Sequence, residues 1–587
     1  MGKSLSIFFV IAFTAQLALA SDLIQNVSSR NQISLNGQWN VIVDPYDVGD
    51  KRKFQAYQGP VSKTKLSEFD FDSAMKLQVP GDWNTQAEEL FFYEGSVWYQ
   101  KFLSLDIDKS KRYILHFDAV NYLSHVFVNG KEAGVHEGGF TPFEFDVTGF
   151  LQQGKNSVVV KVNNRREPDY IPTMSTDWWN YGGITRPVRL LELEKTYVKD
   201  YALTWKDGEI DVSVEVEGPD KADASVKLSI PELKINKTFR AGNDGKVNAA
   251  LSAEPSLWTP ESPYLYNVKI SLNDTDIEDK VGFRTISVDG NDILLNGKPV
   301  FLRGIAIHEE KPGGDGRAWS VEDARVLLGW AKELGTNYVR LAHYPHNENM
   351  LRVADELGLL VWAEIPVYWD IQFENDLVLN KAIRQFSEML DRDKNRASVI
   401  LWSIANETPN TPVRTRFLTK LADSVRSTDP TRLITAAINT QSVTGEGRKI
   451  DEDFANVVDV IGINTYCGWY EDDTPEECAE FTWESKFDKP IIVSEFGAGA
   501  LQGNHGSDSE FFTEEYQSRV FRNNLTMLEN MDNLRGVSPW LLKDFRSPRR
   551  PLSGVQDYWN RKGLMSEQGI KKDVWYLMKK WYAEKAN

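Results

Sequence analysis

The chain has 587 residues, 41% of them hydrophobic, with 18 tryptophans and a formal net charge of −18. That length exceeds what one hydrophobic core organises, so several domains are expected, and the apolar content excludes a disordered chain. The acidity argues against nucleic acid or anionic membrane as the main partner, while a small anion needs only a local cationic pocket.

Residues 1–20, "MGKSLSIFFVIAFTAQLALA", carry a positive start at Lys3, an apolar run and the small-residue ending Ala18-Leu19-Ala20. This pattern predicts a cleaved signal peptide and an exported protein, with the periplasm favoured over the medium or the cell surface. No later stretch is apolar for long enough to span a bilayer. From 21 to 194, short alternating segments such as "RYILHFDAV", "SHVFVNG" and "NSVVVKVNN" predict a β-sandwich with one wet face. From 195 to 288, "GEIDVSVEVEG", "ASVKLSI" and "LYNVKISL" predict an immunoglobulin-like sandwich.

The rhythm then changes. Over 289–587, eight apolar strand candidates follow in order: "VFLRGIAIH", "NYVRLAHY", "LLVWAEIP", "VILWSIANE", "LITAAIN", "VDVIGINTY", "PIIVSEFG" and "GVSPWLLKDF". Helical patterns such as "VEDARVLLGWAKELG" separate most of them, as a (β/α)₈ TIM barrel requires. Most of the segments end in polar or aromatic residues: His308, Arg340 and His343, Glu364, Asn406 and Glu407, Asn464 and Tyr466, Glu495, Trp540. Barrel active sites form at these C-terminal strand ends.

Two of those residues are glutamates closing apolar runs, Glu407 on the fourth strand and Glu495 on the seventh. A carboxylate there is costly unless the site needs it. One protonated and one ionised carboxyl group facing a shared mouth is the minimum kit for cleaving a glycosidic bond. The alternative is a structural pair, each glutamate bound to a barrel arginine. Cys467 and Cys478 either oxidise to a bridge closing a short loop or stay unpaired in the fold; without a matching pair of histidines they make no zinc site.

The motifs "VPGDWN", "GSVWYQKF", "FVNGKEAGVHEGGFTPFEFDVT", "WWNYGGITRPVRLL", "LLNGKPVFLRGIAIHEE", "NYVRLAHYPH", "WSIANE" and "SEFG" together resemble the family-2 glycoside hydrolases. That group contains β-galactosidases, β-mannosidases and β-glucuronidases, and the likeness covers essentially the whole chain after the signal. It implies a jelly-roll-like sugar-binding sandwich in front, and retaining hydrolysis with no required cofactor or metal. By the resemblance Glu407 is the acid/base and Glu495 the nucleophile. Asn406 would contact the sugar 2-hydroxyl, Tyr466 would tune the nucleophile, and Trp540 would lie under the sugar ring. His308 and His343 would bond sugar hydroxyls. Core packing is the alternative for Trp540, and a satisfied structural role for either histidine.

The loop after the last strand, "RSPRRPLSGVQDYWNRKG", places Asn560 and Lys562 two residues apart. An amide and an ammonium at that spacing can converge on one carboxylate. The pattern Asn-x-Lys-Gly resembles the uronate-recognition motif that separates β-glucuronidases from their galactosidase relatives. Asp177, in "TDWWNYGGI", and Tyr470, in "YCGWY", match further substrate contacts of that subgroup. One departure stands out: the subgroup carries an arginine four residues before the motif asparagine, and Gln556 occupies that position here. Arg546, Arg549 or Arg550 then has to supply the charge. The expectation is an exo-acting β-glucuronidase on uronic-acid-bearing oligosaccharides. The alternatives are a β-galactosidase or β-galacturonidase on the same scaffold, or a non-catalytic carbohydrate-binding protein. Many relatives assemble, which leaves a homo-oligomer open.

Overall fold

The computed structural model describes residues 23–586 apart from 58, 60–63, 65–67, 444–446 and 471; the expected signal at 1–20 lies outside the described residues. The first domain packs a six-stranded sheet, built around Gly37–Asp44, Ser96–Leu105 and Gly154–Asn163, against a four-stranded sheet containing Lys111–Phe117 and Val188–Glu194. Trp39, Val97, Tyr99, Leu115, Val126 and Val160 fill the space between them. The expected wet face is covered at its centre. Phe54, Tyr57 and Phe71 lie with Trp98, Phe127 and Val159 on the outside of the larger sheet. That is why Gly154–Asn163 is buried almost continuously instead of on alternate residues.

The second domain is a seven-stranded sandwich of three strands facing four. Its strand Glu209–Glu217 alternates between exposed and buried residues, as a half-buried antiparallel strand should. A small antiparallel sheet over 286–299 then leads into the third domain, and its Ile293 and Leu295 join Leu302, Trp362, Ile400 and Ile492 in a shared core.

The third domain is a parallel barrel. Its strands in chain order are Leu302–Arg303 with Ala306–Ile307, Tyr338–Leu341, Leu360–Glu364, Val399–Asn406, Leu433–Ile438, Val460–Asn464, Ile491–Glu495 and Leu534–Val537. The first is broken at Gly304-Ile305. Its first half pairs with the eighth strand and its second half with the second, so the sheet closes on itself. The eighth strand stops at Val537, so Trp540 follows the strand rather than ending it.

Two helices show why the sequence rhythm was readable. In Val321–Leu334, Ala324, Leu327, Leu328, Ala331 and Leu334 form one buried stripe, and Ser320 with Asp323 makes a capping box. Helix Glu348–Leu357 is capped by Asn347 and ends at Gly358, where a Cβ would sit 2.3 Å from the Pro260 carbonyl oxygen, so only glycine fits. The fifth unit departs from the expected repeat. After Leu433–Ile438 the chain forms a short sheet of Gln441–Val443, Gly447–Ile450 and Thr482–Ser485, with only a 3-10 turn at Asp453–Asn456. Cys467 and Cys478 are disulfide-bonded, pinning the loop after the sixth strand to the six-residue helix Pro475–Glu480. Among the described residues no helix is long and apolar enough to cross a membrane.

Candidate active site

The strand ends carry a continuous polar network. Fully buried Arg340 donates 2.7 Å bonds to Glu495 Oε1 and to Asn406 Oδ1, and it also contacts Glu364 at 3.2 Å. His343 Nδ1 lies 2.8 Å from Glu364, while its Nε2 is 3.7 Å from Glu495 Oε1. Burial alone would raise the Glu364 carboxyl, but Arg340 and His343 outweigh it and hold the group at about 2. Glu364 is therefore a fixed negative charge that anchors the arginine.

The two catalytic candidates sit in different surroundings. Glu495 is buried; besides Arg340 it accepts a 2.6 Å bond from the Tyr466 hydroxyl on Oε2. Burial pushes its carboxyl above the ordinary value, opposed by Arg340 and His343; the Glu407 charge adds to the rise, and the Tyr466 hydroxyl opposes it. Glu407 is half-buried and, among the described residues, its donors are neutral: Asn464 Nδ2 at 2.8 Å on Oε1 and Trp369 Nε1 at 2.9 Å on Oε2. Its backbone φ is +50°, a left-handed conformation that an ordinary side chain adopts at a cost. The carboxylate gripped by a cation is suited to attack an anomeric carbon. The one held by neutral donors is suited to pass a proton.

The other expected contacts surround this pair. Asn406 has its oxygen occupied, but its buried Nδ2 has no partner among the described residues, leaving a donor for a hydroxyl group. Trp540 is buried with its ring stacked on His343 at 4.7 Å and edge-on to His308 at 5.2 Å. His308 bonds the Tyr344 hydroxyl through Nδ1, and burial drives its pKa well below the usual imidazole value, so it is neutral. Its Nε2 is buried without a partner among the described residues.

The loop after the eighth strand folds back as strand Trp559–Asn560, paired with Phe545–Arg546. Gly563 permits this: a Cβ there would lie 2.3 Å from the Asp544 nitrogen, and its own N–H bonds Asp544 Oδ1 at 2.9 Å. The consequence is a buried Lys562, 3% exposed, whose ammonium bonds the Tyr470 hydroxyl and lies over the rings of Tyr470 at 4.5 Å and Tyr466 at 5.3 Å. No carboxylate lies within ion-pair distance of it among the described residues. Tyr466 thus joins the two halves of the site, with its hydroxyl on Glu495 and its ring under Lys562.

Asp177 reaches this loop from the first domain. Its Oδ1 accepts from Ser547 at 2.6 Å, and its Oδ2 from Arg550 at 2.7 Å and Asn560 at 2.9 Å. Both oxygens are already engaged by the protein, so in this structure Asp177 anchors the loop residues. Of the three candidate arginines, Arg546 pairs with Asp315 and Arg549 lies over Trp369, whereas Arg550 lines a cavity of about 240 Å³ with Gln556, Asn560, Lys562 and Tyr470. Two larger cavities, about 610 and 680 Å³, lie at the seam between the second domain and the barrel; Arg284 and Arg396 there are spent on carbonyls and on Asp279 and Asp355.

Three family models account for nearly all of the chain. "Glycosyl hydrolases family 2, sugar binding domain" matches residues 33–194, "Glycosyl hydrolases family 2" matches 196–284, and "Glycosyl hydrolases family 2, TIM barrel domain" matches 286–585. The chain belongs to glycosyl hydrolases family 2. Among curated relatives it is 29% identical to a putative β-glucuronidase of Formosa agariphila, over 86% of this chain and 67% of that one. It is also 29% identical to the β-glucuronidase of Rattus norvegicus, over 95% of this chain and 92% of that one. Among solved structures, a β-glucuronidase of an uncultured Clostridium species aligns with TM-score 0.81 and 28% identity, over 95% of this chain and 98% of that one. The Ruminococcus gnavus β-glucuronidase in complex with D-glucaro 1,5-lactone aligns with TM-score 0.82 and 25% identity, over 96% and 100%.

For this family-2 hydrolase, sequence reasoning named both carboxylates but assigned no site role to Arg340, Glu364 and Asn464. Their position at strand ends was the available signal. Trp369 carried none. It follows the third strand in an irregular segment, and only folding brings its indole N–H to Glu407.

Proposed function

We propose that this protein is an exo-acting, retaining β-glucuronidase. The observation that carries the reading is Lys562. Burying an ammonium without a counter-charge costs several kcal/mol, a cost that makes sense where a ligand supplies the missing anion. With Arg550 and Lys562 against the single carboxylate of Asp177, one positive charge is left for one sugar acid. A neutral galactoside would leave it uncompensated, which disfavours the β-galactosidase alternative. The names of the matched relatives and the lactone in the Ruminococcus complex support the same reading.

In the reaction, Glu495 attacks the anomeric carbon while Glu407 gives its proton to the departing oxygen, forming a glycosyl ester. Water then replaces Glu495 at that carbon and loses a proton to Glu407, which restores both groups. Arg340 and Tyr466 hold the nucleophile's two oxygens in place. The export signal read at 1–20 supports a site of action outside the cytoplasm, as does the disulfide in the loop bearing Tyr470.

Chromogenic β-glucuronide, β-galacturonide and β-galactoside assayed side by side test the reading. The glucuronide is expected to be cleaved best, and Lys562→Ala is expected to lower kcat/KM on it by about 10- to 100-fold, the worth of a hydrogen bond to a charged group. Undiminished glucuronide turnover in that variant would sink the assignment to uronic acids.

A further inference from the structure

Trp369 has a backbone φ of +55°, an uncommon conformation for a bulky residue, and it is pinned there by its N–H on the Asn406 carbonyl at 3.0 Å. Its indole N–H bonds Oε2 of the acid/base, Glu407, at 2.9 Å. Over that indole, 4.7 Å from the ring centre, lies the guanidinium of Arg549, which also bonds Ser175 Oγ at 2.9 Å. Arg549 is exposed and has no carboxylate within ion-pair distance among the described residues, whereas Arg546 and Arg550 beside it are paired with Asp315 and Asp177.

The guanidinium of Arg549 is thus tethered by a ring and a hydroxyl group and keeps its charge free for a ligand. Its position gives it a use. The acid/base protonates the bond oxygen between the uronic acid and its leaving group, so a side chain hydrogen-bonded to the acid's carboxyl group borders the leaving group. The uronate arms, Lys562, Asn560 and Arg550, gather on Tyr470 and Asp177 instead, and among the described residues none of them hydrogen-bonds Trp369.

We propose that Trp369 and Arg549 form a leaving-group subsite that takes an aglycone sugar bearing a carboxylate or a sulfate ester. The proposal rests on the glycosidase reading above. Arg549, carried on the same loop segment as Arg550, offers the fork geometry that both anions accept, and Trp369 holds it in place. The substrates are then glucuronosyl units linked to an anionic sugar, as in an acidic polysaccharide fragment.

The test uses three disaccharides of the same linkage, with a neutral, a carboxylated and a sulfated reducing sugar. They are assayed with the full-length protein and with its Arg549→Ala and Arg549→Lys variants. The wild type is expected to favour at least one charged substrate over the neutral one by about fivefold in kcat/KM, in the range of partly exposed ion pairs. That ratio should fall towards one in Arg549→Ala, survive in part in Arg549→Lys, and shrink with added salt. The larger of the two charged ratios identifies the preferred anion. A wild-type ratio of one for both overturns the proposal, as does an equal loss on all three substrates in Arg549→Ala, which would mean that Arg549 only props the tryptophan. A wild type that cleaves chromogenic galactoside but no glucuronide overturns the parent reading as well.

Discussion

The surroundings of Glu495 and of Lys562 are built by opposite routes. Around Glu495 the groups come from strand ends of one barrel: Arg340, Glu364, Asn406 and Tyr466, locked by buried hydrogen bonds and charge pairs. Around Lys562 they come from remote parts of the chain. Asp177 of the first domain grips Arg550 and Asn560 from 373 and 383 residues away, and Tyr470 enters from a disulfide-tied loop. The first arrangement serves any glycoside, because it addresses the anomeric carbon. On the proposed function the second addresses only a sugar acid. Chemistry and selectivity therefore rest on separable parts that meet at Tyr466.

Breaking the chemical half is expected to have the largest effect. Glu495→Gln should lower kcat by about 10⁴-fold or more on every glycoside the enzyme cleaves, as loss of a nucleophile does elsewhere; residual activity differing strongly between substrates would contradict a shared catalytic pair. Arg340→Ala comes next and acts on stability as well. It leaves Glu364 and Glu495 buried without their cation, so a loss of roughly 3–5 kcal/mol is expected in denaturant unfolding. A near-neutral result would mean that the arginine's desolvation cancels what it contributes.

Breaking the selective half should leave the chemistry in place. Asp177→Asn removes the charge on which Arg550 and Asn560 converge, and KM for a glucuronide should rise by about tenfold, with a smaller change in kcat. A loss confined to kcat would mean that Asp177 serves the reaction centre. The smallest effect sharpens the junction. Tyr466→Phe removes a donor that lowers the Glu495 pKa, so the pKa moves further up. Attack needs the ionised form, and activity is lost as pH falls through that pKa. The acid limb of the pH–rate profile should therefore shift to higher pH in the variant, while the alkaline limb stays. An unmoved acid limb would place that ionisation on another group.

Much of this protein was legible in its residues. Period-2 and period-3.6 patterning marks two sandwiches and a barrel because burial of one face is a local requirement, repeated along each element. Glu407 and Glu495 stood out because a charge closing an apolar run has no cheap structural excuse. Departures arose where local pattern underdetermines the outcome. The fifth barrel unit replaced its helix with a small sheet, and the outer face of the first sandwich was covered by the segment containing Phe54 and Phe71. The second departure did leave a trace, since Val158, Val159 and Val160 run on without alternation and Val159 faces the cover. Asn560 and Lys562 could be read as a motif, but whether they faced water or a ligand could not, since a turn with an exposed lysine has the same local sequence.

Only the tertiary structure decided which charges are satisfied. Arg546, Arg549 and Arg550 are near neighbours in one loop, yet one pairs with Asp315, one with Asp177, and one rests on Trp369 with no acid beside it among the described residues. The physical reason is distance. A charge is compensated by whatever lies within a few ångströms of it, and here the partners are drawn from the first domain and the barrel, so their identity is settled by how those two domains dock and not by any spacing in the sequence.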